Sequence, residues 1–160
     1  MSIHYVDASA WVKKYLREEG SDWILAFALH RPLVACAELG LVEVLATIVR
    51  RHAATGVSEA KTSVVFESAR NDFKHFSQVP WTPEVLALTG PLLLKHHLRG
   101  ADCIHLASAI WLRTAIQSTT VVAGPVTFIA SDTELLRAAA AEGFTCLDPQ
   151  LNPPLPVVTP

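Results

Sequence analysis

Short apolar runs alternate with longer stretches of helical periodicity along this chain, and this alternation constrains the possible folds more than any other feature. Four of the runs predict strands, at residues 3–6, 33–36, 126–130 and 144–147. Helices are predicted at residues 8–19, from 21 or 22 to about 29, and at 38–54, 58–77, 83–97, 102–117 and about 133–141. Strands separated by helices predict a parallel sheet covered on both faces, which is a three-layer α/β/α sandwich.

The length and composition predict one domain with a core of its own. The chain has 160 residues, of which 51% are hydrophobic and 18% charged, and this composition is typical of globular rather than disordered proteins. Five prolines lie within residues 149–160. We therefore expect a single domain over residues 1–149 and a Pro-rich tail over residues 150–160, which is an extended arm or loose terminus without chemistry of its own.

Targeting signals and disulfides are not indicated. No apolar run reaches the length of about 18 residues that indicates a membrane helix, and the N-terminus shows no secretory signal. The three cysteines, Cys36, Cys103 and Cys146, are far apart and include no CxxC pair, which favours buried thiols in a reducing compartment. We therefore expect a cytoplasmic protein without a membrane partner.

Four carboxylates lie in apolar surroundings, where a charged group is costly unless it is paired or binds metal. Asp7 and Asp132 each follow a predicted strand, whereas Glu43 and Asp102 lie in helical segments rich in apolar residues. Ligands of parallel sheets bind outside the carboxyl ends of the strands, where Asp7 and Asp132 are expected. If the fold brings all four acids together, they form an oxygen-rich site for a hard divalent cation.

Helix capping is the alternative role for three of these acids. Asp7 and Asp102 lie at predicted helix starts, where a carboxylate is favoured. Ser131 begins a capping-box pattern, which would release Asp132 from capping. Glu43 has no such alternative, because no cation lies three or four residues away on its helix, although a surface position beside the buried stripe stays open.

His105 and the grouped basic residues are weaker candidates. His105 lies three residues after Asp102 and would be placed for a second ligand, but a single histidine in an apolar helix favours a core group with one satisfied nitrogen. The net charge of −2 neither favours nor excludes a nucleic-acid partner. Grouped lysines and arginines are typical of solvated helix faces, and only their convergence on the acids would indicate a phosphate-binding surface.

Four stretches of the chain, in order, resemble the PIN-domain family, and specifically the VapC-type toxins of prokaryotic toxin–antitoxin pairs. They are residues 5–21, 41–51, 98–107 with the sequence LRGADCIHLA, and 128–144. The resemblance extends over nearly the whole chain, to about Pro149. The chain departs from the family pattern at two places. Ala8 stands where many relatives carry a hydroxyl residue, so Ser9 supplies the hydroxyl near Asp7. Before Glu43, residues 37, 38 and 40 lack the small hydroxyl side chains that are common there.

The resemblance implies that Asp7, Glu43, Asp102 and Asp132 are a catalytic quartet that holds Mg²⁺ or Mn²⁺. It also implies RNA as the substrate, endonucleolytic cleavage that leaves a 3′-hydroxyl, a homodimer and a cognate antitoxin protein. We expect the first three acids to hold the principal ion, and Asp132 to bind directly or through water. Substrate contacts are expected from Ser9, Lys13, Lys14, Arg17, Arg50 and Arg51.

Two other classes of function stay open. A PIN-like interaction module without activity would have no reason to keep all four acids together. A metal-dependent phosphatase or receiver-like domain also carries an acid after its first strand. That class would need a second acid close to Asp7 or a lysine on a late strand, and the sequence has neither.

Overall fold

The computed structural model of the chain describes residues 2–119 and 124–156, which contain five strands and seven α-helices. The strands are β1 (Ile3–Val6), β2 (Leu33–Ala37), β3 (Ser77–Val79), β4 (Val126–Ile129) and β5 (Thr145–Leu147). The helices are α1 (Ala8–Trp11), α2 (Ser21–Leu29), α3 (Glu38–Ala54), α4 (Glu59–Phe73), α5 (Pro83–His96), α6 (Gly100–Thr119) and α7 (Thr133–Ala141). Among these helices, none is long and apolar enough to cross a membrane.

The five strands pair in parallel in the order β3-β2-β1-β4-β5, so β1 lies at the centre of the sheet. β1 and β4 are in register from Ile3 opposite Val126 to Val6 opposite Ile129, and the two strands therefore end at the same level. The residues that follow them, which include Asp7, are brought together at this carboxyl edge of the sheet.

Helices cover both faces of the sheet, each over its own apolar core. On one face the rings of Tyr5 and Phe128 stack with centroids 5.2 Å apart, and side chains from α5, α6 and α7 pack over them. On the other face Trp11 stacks on Phe73 with centroids 5.6 Å apart, among residues of α1 to α4. Tyr5 and its neighbour Val6 belong to opposite cores, as the two-residue period of a strand requires. The predicted three-layer α/β/α sandwich is confirmed.

The first helix is shorter than predicted. α1 ends at Trp11 and continues only as the 3₁₀ helix Val12–Lys14, whereas the pattern predicts a helix to residue 19. The reason is local, because the Ser21 hydroxyl donates to the Leu16 carbonyl and accepts from the Glu18 amide, both at 3.0 Å. A side chain that bonds backbone groups in this way competes with continuation of the helix.

The sequence pattern does not predict β3, whose first residue, Ser77, it assigns to the end of α4. β3 has three residues at the edge of the sheet and buries only Val79. Such a strand lacks the alternation of apolar and polar residues that indicates β-structure. α4 correspondingly ends at Phe73, four residues before the predicted end at residue 77.

Part of the Pro-rich tail packs against the domain, although the sequence predicts an extended arm or loose terminus. Pro149 is buried and opens a 3₁₀ helix over Pro149–Leu151. It lies against Gly20, which has a φ of 86°, and a Cβ on Gly20 would come within 2.9 Å of the Pro149 backbone. Trp23 Nε1 donates to the Pro153 carbonyl at 2.6 Å. Residues 157–160 of the tail lie outside the described residues.

Candidate metal-binding cleft

A cleft of about 470 Å³ opens at the carboxyl edge of the sheet, and all four predicted acids line it. The acids come from four elements: Asp7 follows β1, Glu43 lies on α3, Asp102 on α6 and Asp132 immediately before α7. The rest of the lining includes hydroxyl and amide groups and the cations Lys13, Arg50, Arg51 and Arg99. The fold thus brings together acids that are up to 125 residues apart in the sequence, from Asp7 to Asp132.

Asp7 and Glu43 meet at a buried histidine, and we call these two acids the inner pair. His105 Nε2 lies 2.6 Å from Glu43 Oε2 and 3.3 Å from Asp7 Oδ1. The His105 side chain is 1% exposed, whereas that of Glu43 is 31% exposed and reaches the open cleft. One ring nitrogen therefore contacts both acids from the buried side.

Asp102 and Asp132, the outer pair, are bridged by an arginine. Arg99 donates from Nε to Asp102 Oδ2 and from Nη2 to Asp132 Oδ2, both at 2.8 Å. The Arg99 side chain is 77% exposed. The outer pair is therefore held by a cation that remains in contact with water.

Two of the acids are helix caps as well as cleft residues. Asp7 Oδ2 accepts from the Ser9 amide at 2.9 Å and from the Ser9 hydroxyl at 2.5 Å. Asp132 Oδ1 accepts from the Leu135 amide at 2.9 Å. The prediction that Ser131 caps this helix is wrong, because α7 begins at Thr133 and Asp132 occupies the N-cap position. Asp102, in contrast, lies in the first turn of α6 and does not cap it.

The Ser9 hydroxyl links the ends of the two central strands. It donates to Asp7 and accepts from the Ser131 amide at 2.9 Å. The Ser131 hydroxyl is itself buried and has no hydrogen-bond partner within residues 2–119 and 124–156. An unpaired buried hydroxyl beside the acids suits a bound water or a ligand oxygen.

His105 is more closely integrated into the site than the sequence predicts. Its Nδ1 lies 3.0 Å from the Tyr5 hydroxyl, which also accepts from the Ala37 amide at 3.2 Å. Both ring nitrogens thus have partners, whereas a core histidine with one satisfied nitrogen was expected. Gly40 permits the close approach of α3 and α6, because a Cβ there would overlap the Cys36 sulfur and lie 3.2 Å from His105 Cε1.

The crowding of acids shifts the pKa values of two groups in the cleft. Burial lowers the pKa of His105, but the charge of Asp7 and the hydrogen bond to Glu43 outweigh burial, so this pKa is raised. The pKa of Asp102 is also raised, because burial outweighs the hydrogen bond from Arg99. Both shifts favour the protonated form, for His105 because of the neighbouring negative charges and for Asp102 because of burial.

Four of the six predicted substrate contacts lie in the cleft. Ser9, Lys13, Arg50 and Arg51 line it together with the acids. Lys13 is buried and donates to Glu18 at 2.8 Å, and Arg51 donates to the other oxygen of Glu18 at 3.1 Å. Lys13, Arg50 and Arg51 therefore converge on the same opening as the carboxylates.

Lys14 and Arg17 lie elsewhere. Lys14 donates to Asp72 at 2.6 Å and faces a separate, largely apolar cavity of about 480 Å³ between α2 and α4. Arg17 forms an exposed ion pair with Asp22, with the shorter contact at 2.5 Å. The early end of α1 explains the difference, because a longer helix would have carried these side chains along one face.

Arg99 and Gln150 are among the residues that line the cleft without a predicted role there. Arg99 precedes Asp102 by three residues in the motif LRGADCIHLA, a spacing at which side chains on a helix start can meet. That spacing is a usable signal. Gln150 lies in the predicted tail and reaches the cleft only because Pro149 packs against Gly20, so no local pattern indicates it.

Comparison with curated proteins identifies the family, although no family model matches the chain. The ribonucleases VapC45 and VapC49 of Mycobacterium tuberculosis (strains CDC 1551 / Oshkosh and ATCC 25618 / H37Rv) are each 33% identical to it over 114 residues. The matched region covers 69% of this chain and 76% of each relative. The chain belongs to the VapC ribonuclease family.

Solved structures support the VapC fold independently of sequence identity. FitAcB from Neisseria gonorrhoeae matches with a TM-score of 0.64 at 15% identity, over 91% of this chain and 97% of that chain. A toxin–antitoxin complex from Klebsiella pneumoniae matches with a TM-score of 0.61 at 14% identity, over the same shares of the two chains. VapBC2 from Rickettsia felis, bound to a promoter DNA fragment, matches with a TM-score of 0.60 at 12% identity, over 91% and 98%.

The donor set of this VapC-family cleft is suited to a hard divalent cation. Carboxylate oxygens are the ligands that Mg²⁺ and Mn²⁺ prefer, and four of them converge here. Asp7, Glu43 and His105 each offer a ligand atom within 4.8 Å of the others. The inner pair is thus grouped with His105, and the outer pair lies around Arg99.

Proposed function

We propose that this VapC-family chain is a metal-dependent endoribonuclease and the toxin component of a toxin–antitoxin pair. The observation that carries the proposal is the convergence of four carboxylates from four elements in one cleft. Acids gathered in this way repel one another, which favours a cation site over a purely structural role. The names of the curated relatives support RNA as the substrate.

Asp7, Glu43 and Asp102 are the residues that would hold a Mg²⁺ or Mn²⁺ ion, with Asp132 bound directly or through water. Their oxygen donors fit such an ion, and the unpaired Ser131 hydroxyl beside them suits one of its waters. When bound, the ion would lower the pKa of a water and offset negative charge on the phosphate.

Basic side chains around the acids would bind the RNA backbone. Arg50 and Arg51 are exposed on α3, two turns after Glu43, and are placed to contact phosphates at the opening of the cleft. Lys13 adds a positive charge closer to the acids, where Glu18 fixes its position. Ser9 orients Asp7 through its hydroxyl and amide.

The direct test is cleavage of RNA by the purified protein. We expect cleavage with Mg²⁺ or Mn²⁺, loss of cleavage with a chelator, and loss in Asp7→Asn and Asp102→Asn. Glu67→Gln is the matched control, because Glu67 forms an exposed ion pair with Arg70 on α4, away from the cleft. A folded wild-type protein that cuts no RNA and binds no Mn²⁺ would favour the inactive interaction module.

The basic residues can be tested separately by binding of uncleavable RNA to the Asp7→Asn protein. Arg51→Gln should weaken RNA binding about threefold. It should also reduce the slope of log K against log salt concentration by roughly one, the value for one lost phosphate contact. Arg17→Gln should leave both unchanged, because Arg17 pairs with Asp22 outside the cleft. Equal effects of the two substitutions would mean that RNA does not follow the cleft.

An antitoxin partner is supported by the solved neighbours, two of which are described as toxin–antitoxin or VapBC assemblies. We expect the antitoxin to present a basic side chain to the acids, since the outer pair already accommodates the guanidinium of Arg99. Co-purification with the product of the adjacent coding sequence, followed by measurement of the mass of the complex, tests this partner. The mass of the chain alone tests the expected homodimer.

A further inference from the structure

His105 is a buried group whose role the proposed reaction does not explain. It contacts both inner acids through Nε2 and is 1% exposed. Such a ring is either a third ligand of the ion or a group that holds the ligands. The two roles place the ring proton on different nitrogens. A metal ligand needs a free lone pair on Nε2, whereas a group that positions the carboxylates needs an N–H there.

The hydrogen bonds on the far side of the ring favour an N–H at Nε2. The Ala37 amide can only donate, so it occupies one lone pair of the Tyr5 oxygen. Among the described residues, the other hydrogen-bond contact of this oxygen is with His105 Nδ1. The proton of Tyr5 is then directed to His105 Nδ1, 3.0 Å away. When Nδ1 accepts, a neutral ring carries its own proton on Nε2.

The contact with the acids favours the same arrangement. The distance of 2.6 Å from His105 Nε2 to Glu43 Oε2 lies at the short end for a charge-assisted hydrogen bond, which requires a proton between the two atoms. Two ligand atoms about 2.1 Å from an octahedral ion would lie roughly 3 Å apart. A doubly protonated ring also carries a proton on Nε2, so the argument holds in either charge state.

We propose that His105 is a positioning residue, which donates from Nε2 to Glu43, lies 3.3 Å from Asp7 through the same nitrogen, and does not itself bind the ion. This inference rests on the proposed metal site. The donation engages Glu43 Oε2 and leaves Oε1, which accepts no hydrogen bond from a described residue, to face the cleft. A consequence is metal choice, since an all-oxygen ligand set favours Mg²⁺ and Mn²⁺ over Zn²⁺, for which imidazole is a good ligand.

Two spectroscopic measurements on the wild-type protein test this role without any substitution. Nitrogen NMR of metal-free, ¹⁵N-histidine-labelled protein should show His105 protonated on Nε2. Pulsed electron paramagnetic resonance of the Mn²⁺-loaded protein should show no nitrogen bonded directly to the ion. A bare Nε2 in the first measurement, or a directly bonded nitrogen in the second, would overturn the proposal.

Substitutions separate positioning from ligation and from a merely structural role. His105→Gln keeps an N–H near the position of Nε2 and should retain Mn²⁺ affinity within about threefold of wild type. His105→Leu removes the donor and should weaken Mn²⁺ binding by about 10- to 100-fold. Equal losses in both variants would indicate a ligand. Unchanged affinity in folded His105→Leu would indicate packing alone, and either result contradicts the inference.

Failure of the proposed function has a different signature. If the wild-type protein binds no Mn²⁺, the metal site is wrong. The NMR measurement still decides whether His105 donates to the inner pair, because it is made on the metal-free protein.

Discussion

The two halves of the cleft hold their acids in different ways. The inner pair is contacted by a ring that is 1% exposed and fixed on its far side by Tyr5, whereas the outer pair is contacted by the Arg99 guanidinium, whose side chain is 77% exposed. A buried hydrogen bond between packed elements keeps its geometry, but an exposed ion pair exchanges with water and contributes little free energy. The inner half is therefore preorganised and the outer half is adjustable.

The difference originates in the elements that carry the two cations. His105 lies in the second turn of α6, where it packs over β1 and against α3 beside Gly40. Arg99 lies in the short link between α5 and α6, two residues after His97, which has a positive φ of 55°. The first position is set by the core and the second only by local ion pairs.

The largest expected effect separates the two pairs by activity. Glu43→Gln should lower kcat/KM for RNA by about 10³-fold or more, roughly 4 kcal/mol of transition-state stabilisation. Asp132→Asn should lower it only about tenfold, or about 1.4 kcal/mol, because Asp132 shares its oxygen with Arg99 and asparagine still caps α7. Initial rates on one defined RNA measure both. Equal losses would remove the distinction between the pairs.

The second prediction concerns the stability of the metal-free protein, and uses Glu142 as a reference acid outside the cleft. Glu142 accepts from Lys95 at 2.8 Å and contacts His96 Nε2 at 2.6 Å. Glu142→Gln should lower the free energy of unfolding by about 1 kcal/mol. Asp102→Asn should raise it by about 0.5 kcal/mol, because burial disfavours the charge that this substitution removes.

The changes in the free energy of unfolding caused by Glu142→Gln and Asp102→Asn should have opposite signs, and both should diminish as the pH falls. The hydrogen bonds from Lys95 and His96 lower the pKa of Glu142, so its stabilisation is present above the ordinary value of 4.5 and is lost as the pH falls through the folded-state pKa. The pKa of Asp102 is raised, so its cost is present at neutral pH and disappears as the pH falls and the group is protonated. Urea denaturation with chelator, at about pH 7 and about pH 4, measures both differences.

The smallest effect concerns Arg99. Arg99→Gln should strengthen Mn²⁺ binding by about two- to fivefold, because an exposed cation no longer competes for the outer acids. Calorimetric titration measures this change. Arg137→Gln is the matched control, since Arg137 forms an exposed pair with Glu134 on α7. Weaker binding in the Arg99 variant would show that this arginine supports the ion rather than competing with it.

The strand-end acids could be predicted from the sequence with ordinary reasoning. Asp7 follows a short apolar run, and parallel strands place the residues that follow them at one edge of the sheet. The family resemblance added Glu43 and Asp102 to the same site. Spacing alone could not, because α3 and α6 cover opposite faces of the sheet and their convergence depends on how they meet at its carboxyl edge.

The contacts between the acids could not be predicted, for identifiable reasons. His105 and Glu43 are 62 residues apart, and a histidine on an apolar helix has the same local pattern whether or not it meets a carboxylate. Ser131 fits a capping box, but the chain begins α7 one residue later and uses Asp132 instead. The bonds that Ser21 makes to the backbone end the first helix early, and the periodicity of that segment contains no sign of them.

Gly40 links the identity of two distant positions. A Cβ at this site would overlap the Cys36 sulfur and lie 3.2 Å from His105 Cε1, so a larger residue must shift the sulfur and crowd the imidazole that contacts Glu43. Among relatives, a histidine at position 105 should therefore occur together with glycine at position 40, and the two should be lost together. This pairing offers a two-residue signature for the members of the family that hold their inner acids through a histidine.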